Sequence, residues 1–148
     1  MRSYERRVDA TGSSDLEGEL QTAVTVHLPD AITGPATIFF GWPGGGFGRR
    51  YFDVQVVPGY SQAAFHTESG DVFVSCDHLA TGDSTHPADV LSLTYEQLAA
   101  ASHATAIAIL GHLSHAAARN RPRSDRRQGA RGGGAERRAV QILLSLPW

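Results

Sequence analysis

The chain has 148 residues, a length for one domain, with 41% hydrophobic residues and a formal net charge of −2. Its one cysteine, Cys76, excludes an internal disulfide framework and a cysteine-based zinc site. No apolar run approaches the roughly 18 residues of a membrane span, and the charged start "MRSYERRVDATGSSDLEGEL" lacks the apolar core of a secretory signal, so a cytoplasmic location is the default expectation.

The small net charge hides an asymmetry. Residues 1–111 carry 5 Arg and 13 Asp or Glu, whereas residues 112–148 carry 8 Arg and 2 acids. Every basic residue is Arg, and the chain has no Lys. A solvated surface does not require that bias, but a GC-rich coding sequence produces it.

Along the chain, residues 1–19 read as a polar, flexible lead-in. Thr22 to Leu28 alternates and is β-branched in its middle, so it reads as a strand ended by Pro29-Asp30. "ITGP" (32–35) is a turn, and "ATIFF" (36–40) is a short apolar run expected of a strand buried on both faces. "GWPGGGFGRRYFD" (41–53) follows. "SQAAFHTES" (61–69) reads as a short helix stopped by Gly70, and "DVFVSC" (71–76) as a second buried strand. "DHLATGDSTHPAD" (77–89) is a loop.

Residues 93–113, "LTYEQLAAASHATAIAILGHL", give the strongest helix pattern. Thr94 and Gln97 form a capping box, and Leu98, Ala101, Thr105, Ala108 and Leu113 are spaced for one face. The order of strands and helices predicts an α/β fold whose strands are at least partly parallel. From about residue 114 the character changes. "AARNRPRSDRRQGARGGGAERRA" has no apolar period and many like charges, so a disordered basic tail is expected over 114–148.

Three uses of Gly44, Gly45 and Gly46 compete. A Walker phosphate loop needs a Lys, and there is none. A dinucleotide fingerprint would place its third glycine at Arg49. An oxyanion hole needs backbone N–H groups aimed at a developing negative oxygen, each worth about 3–4 kcal/mol, and a glycine-rich loop behind a buried strand can present them. A plain solvent turn would need only Pro43-Gly44.

"FFGWPGGGFGRRYFD" followed by "GYSQAAFHTESGDVFVSCDHLATGDST" resembles the N-terminal half of α/β-hydrolase serine esterases, over roughly residues 20–110. In that family a glycine loop follows the third strand and an Asp-x-x-Gly-x-Gly-x-Ser loop follows the fourth. Asp77, Gly82 and Ser84 match the second loop, and Ala80 stands where its first glycine should be. The resemblance implies that Gly45, Gly46 and Phe47 bind the acyl oxygen through their backbone N–H groups. It implies a small-molecule ester substrate in intact relatives, and it calls for no cofactor or metal.

The family's nucleophile should follow the long helix, on a strand leading into Gly-x-Ser-x-Gly. Ser114, Ser124 and Ser145 have no flanking glycines, and the partner acid and histidine do not follow. Ser61, in "GYSQA", lies too early in the chain and reads as a helix cap. Ser75, Cys76, Asp77 and His78 are triad residue types, but neighbours on a strand point to opposite faces. His112 and His115 read as polar positions at a helix end rather than as metal ligands.

The expectation is therefore an incomplete α/β-hydrolase-like sheet over residues 20–113, related to carboxylic ester hydrolases and inactive without its nucleophile. A frame change near residues 111–120 would explain the abrupt Arg- and Gly-rich composition. The rival expectation is a non-catalytic binding protein whose basic tail meets nucleic acid. No aromatic residue lies between Arg119 and Arg138 to stack on bases, which weighs against it. A sheet left with an open apolar edge is also expected to self-associate.

Overall fold

The computed structural model describes residues 1–119 and 140–144. Its five strands are β1 (Arg2–Asp9), β2 (Gln21–Leu28), β3 (Ile38–Trp42), β4 (Val72–Cys76) and β5 (Val140–Leu144). They form one mixed sheet in the order β1-β2-β4-β3-β5. β1 and β4 run antiparallel to β2, whereas β4 and β5 run parallel to β3. Two helices, α1 (Gln62–Glu68) and α2 (Tyr95–Arg119), accompany the sheet. No helix among the described residues is long and apolar enough to cross a membrane.

Alternation along the strands assigns each face. Val24 and Val26 of β2, Phe40 and Trp42 of β3, and Val74 and Cys76 of β4 are buried in one cluster with Ala106 and Ile109 of α2. Phe39 of β3 and Phe73 of β4 pack on the other face with Ala63 of α1 and with Phe52, which precedes that helix. All five residues of β4 are buried, as expected of a strand covered on both faces. At Gly41 an added Cβ would lie 2.9 Å from the Phe73 ring and 3.0 Å from Phe52, so glycine lets the two rings reach the strand.

The helices begin where their caps dictate. Ser61 Oγ accepts the Ala64 N–H at 2.9 Å, and Gly70, with φ +88°, follows the end of α1. Thr94 and Gln97 close the capping box of α2 in both directions, at 2.9 and 3.2 Å. The inward face of α2 carries Ala101, Thr105, Ala106 and Ile109, flanked by Leu98, Leu110 and Leu113. Ala108, expected on that face, is exposed, because the stripe runs 101, 105, 109.

Two expectations need correction. Residues 2–9 are not a loose lead-in but the edge strand β1, paired along its length with β2 from Arg2↔Leu28 to Asp9↔Gln21. Val8 and Tyr4 anchor it to the core, and its Arg and Glu residues suit an exposed edge. Nor is the region after residue 113 wholly irregular. α2 continues to Arg119, and Val140–Leu144 pairs in parallel with β3 from Ile38↔Val140 to Trp42↔Leu144. The rest of the expected tail, 120–139 and 145–148, lies outside the described residues.

Candidate functional site: two clamped loops at the carboxyl ends of β3 and β4

In open α/β sheets, ligands gather in the crevice beyond the carboxyl ends of parallel strands. β3 and β4 are such neighbours, and each runs directly into one of the loops singled out in the sequence.

Beyond Trp42 the chain turns over Gly44–Phe47. The Phe47 N–H donates to the Gly44 carbonyl at 3.2 Å, and Gly46, third in the turn, takes φ +86°. Glycine supplies that conformation without steric cost. Gly45, Gly46 and Phe47 are all exposed. Of these three N–H groups, that of Phe47 is used within the turn, and those of Gly45 and Gly46 have no hydrogen-bond partner among the described residues.

The second loop is organised by Asp77, which is fully buried. Its Oδ1 accepts the Arg49 N–H at 2.5 Å, and its Oδ2 accepts the Asp83 N–H at 2.9 Å and the Arg49 guanidinium at 2.6 Å. Gly82 takes φ +53°, and any Cβ there would collide with the Asp77 carboxylate. Ser84 Oγ accepts the Ala23 N–H at 2.9 Å and donates to the Asp77 carbonyl at 3.3 Å. Every matched position of the Asp-x-x-Gly-x-Gly-x-Ser pattern thus has a structural task. Ala80, in place of the first glycine, holds φ +62° and is the one non-glycine residue with positive φ among those described.

Two contacts tie the loops together. At the near end, the His78 Nε2–H donates to the Pro43 carbonyl at 3.2 Å. That tautomer leaves His78 Nδ1 buried without a partner among the described residues. Burial pushes the His78 pKa below the ordinary imidazole value, opposed by the Pro43 bond and by Asp77. At the far end stands Arg49, which opens a 3-10 turn over Arg49–Phe52 and is 3% exposed. Its guanidinium also meets Asp83 at 2.7 Å, Glu5 at 3.1 Å and Thr25 Oγ1 at 3.0 Å. Arg49 in turn holds the Asp83 carboxyl below the usual carboxylate range.

In the sequence Arg49 stands out only as the misfit in a dinucleotide fingerprint. Nothing local marks it, because its partners lie 24 to 44 residues away.

The triad residue types are dispersed. Ser75 faces His27, Oγ to Nε2 at 3.2 Å, on the side of the sheet toward α1. Cys76 lies in the opposite core cluster, where burial drives its thiol pKa well up. Asp77 and His78 hold the two loops. Ser61 donates to Asp53 Oδ1 at 2.5 Å while capping α1, so its hydroxyl faces a carboxylate and not an imidazole. On α2, His112 contacts Arg6 at 2.8 Å, and His115 Nδ1 lies 2.6 Å from the Gly111 carbonyl.

No protein-family model and no curated protein matches the chain. Among solved structures it is similar to a proline iminopeptidase from Mycobacterium smegmatis, with a TM-score of 0.55 and 21% identity over 72% of this chain. The architecture resembles part of an α/β-hydrolase. The chain spans about a third of that protein's length, the matched region covering 32% of it, and the likeness is one of fold.

Proposed function

We propose that the chain carries the oxyanion side of an ester-hydrolase site built on an α/β-hydrolase-like sheet, without the means to turn over an ester. The observation that carries the reading is the pair of unpartnered N–H groups of Gly45 and Gly46 at the end of β3. They sit on a turn whose two ends are clamped to the next loop by His78–Pro43 and Arg49–Asp77. Such donors stabilise an acyl oxygen because they are fixed in place before charge develops on it. In this role Phe47 supports the turn through its bond to Gly44, and its own N–H becomes available only if that bond opens.

Donors alone give no acyl transfer, which needs a nucleophile and a base in hydrogen-bond reach. The sequence contains no Gly-x-Ser-x-Gly, and the Ser61 hydroxyl is engaged with Asp53. The test is turnover of short activated esters by the purified chain, together with labelling by a fluorophosphonate. The expected result is no turnover above a heat-denatured control and no stoichiometric label. A label on Ser61 would make that cap a nucleophile. A label on Ser145, which follows β5 in the chain, would supply the missing half of the site and sink the inactive reading.

A further inference from the structure

Two clefts flank the Arg49-Arg50 segment that follows the glycine loop. One, of about 380 Å³, is lined by Phe47, Tyr51, Arg50, Asp77 and Gly82. The other, of about 430 Å³, is lined by Arg6, Arg7, Arg50, Glu5 and Asp83. Arg49, Arg50 and Asp83 border both, so the clefts share a wall.

Their linings differ in chemistry. Phe47 and Tyr51 are 57% and 54% exposed, yet their rings are in contact, with centroids 5.4 Å apart and planes at 53°. That leaves a two-ring apolar wall facing solvent. On the other side stand Arg7 of β1 and Arg50 of the 3-10 turn, both exposed. Neither guanidinium forms an ion pair among the described residues. Their charges act on Asp83, which Arg49 holds at 2.7 Å, and Glu5 meets the same Arg49 guanidinium at 3.1 Å. Arg7 and Arg50 thus line the cleft beside Asp83 and Glu5 with no side-chain hydrogen bond or ion pair of their own among the described residues.

We propose that the two clefts form one binding site for a small aryl phosphate, its ring against Phe47 and Tyr51 and its phosphate between Arg7 and Arg50. Planar guanidinium groups match phosphate oxygens with paired hydrogen bonds, and two of them on separate elements suit a dianion better than a single carboxylate. Aromatic side chains receive a ring edge-on or offset. The site uses side chains, whereas the acyl-oxygen reading uses glycine N–H groups, so either can fail without the other.

The experiment is a titration of the full-length ¹⁵N-labelled chain with phenyl phosphate, inorganic phosphate, phenol and benzoate, followed by amide shifts. Phenyl phosphate is expected to saturate at a concentration about tenfold lower than any of the other three, shifting residues 47–51 and 83. Arg7→Gln, Arg50→Gln and Phe47→Ala should each weaken it by about fivefold or more. All three side chains are exposed, and unchanged spectra elsewhere will show that the variants fold. Arg50→Lys keeps the charge and removes the fork, so it should fall between wild type and Arg50→Gln. Equal binding of benzoate overturns the phosphate assignment, and equal binding of inorganic phosphate overturns the aromatic wall. Phenyl phosphate binding that ignores Arg7 and Arg50, or no binding at all, overturns the site.

Discussion

Asp77 holds Arg49 twice, once by its backbone N–H at 2.5 Å and once by its guanidinium at 2.6 Å. The glycine loop and the loop after β4 are thereby fixed at a point where both partners are buried. Removing the Asp77 carboxylate leaves Arg49 paired with Asp83 and Glu5. It takes the acceptor from the Arg49 and Asp83 N–H groups, a loss that typically costs about 1–3 kcal/mol for a buried donor. Asp77→Ala should therefore lose stability in that range. Asp77→Asn should cost less, since one oxygen survives to accept. Urea denaturation of the two variants would check this, and equal midpoints for Asp77→Ala and wild type would show that the clamp carries no stability.

Ala80 and Gly82 invite opposite substitutions. Ala80 holds φ +62°, where a Cβ costs about 1–2 kcal/mol, partly offset in glycine by its larger unfolded-state entropy. Ala80→Gly should therefore stabilise the protein by roughly 0.5–1 kcal/mol. Gly82→Ala should destabilise it by more than that, because the new Cβ meets the Asp77 carboxylate as well as an unfavourable φ of +53°. Thermal melts of both variants would show the midpoints moving in opposite directions. A lower midpoint for Ala80→Gly would refute the strain argument.

Gly41 is a different case. Its limit is space, since a Cβ would stand 2.9 Å from Phe73 and 3.0 Å from Phe52. Overpacking of this kind costs typically about 1–3 kcal/mol. Gly41→Ala should fall in that range, and Gly41→Ala combined with Phe52→Leu should recover part of it. The double-mutant cycle measures the coupling, and a cycle with no interaction energy would place the cost elsewhere.

Most of the central sheet could be read from the sequence because its signals are local. The apolar runs of β3 and β4 are dense, the alternation of β2 is clear, and both helices carry their own caps at Ser61 and Thr94. β1 could not be read, because "RSYERRVD" offers only Tyr4 and Val8 to the core and becomes a strand through its pairing with β2. The candidate site was half legible. Glycine spacing and the Asp77 pattern mark the loops, but the groups that lock them come from distant sequence. Arg49 reaches Asp77, Asp83 and Glu5, and His78 reaches Pro43. No spacing rule connects residues joined only by the fold.

His27 gives the chain a dependence on pH. The ring is 2% exposed, bonded through Nε2 to Ser75, and its Nδ1 has no partner among the described residues. Burial lowers its pKa from the ordinary value near 6.5, and the charge of Asp53 opposes this only in part. The half-buried His66 and His78 shift in the same direction, also by burial. A histidine with a depressed folded-state pKa stays neutral in the native protein while the unfolded chain takes up a proton. The unfolded state then binds more protons, so stability rises with pH through this window and falls as pH drops below about 6.5. The Asp83 shift acts only near and below the ordinary carboxylate value of 3.8, so it does not contribute between pH 7 and 5. His27→Gln keeps a donor or acceptor for Ser75 and removes the titration. Wild type should lose stability from pH 7 to pH 5, at up to about 1.4 kcal/mol per pH unit for each fully shifted histidine. His27→Gln should lose measurably less over the same interval. Parallel urea-midpoint curves for the two proteins from pH 7 to 5 would show that His27 is not the group that titrates.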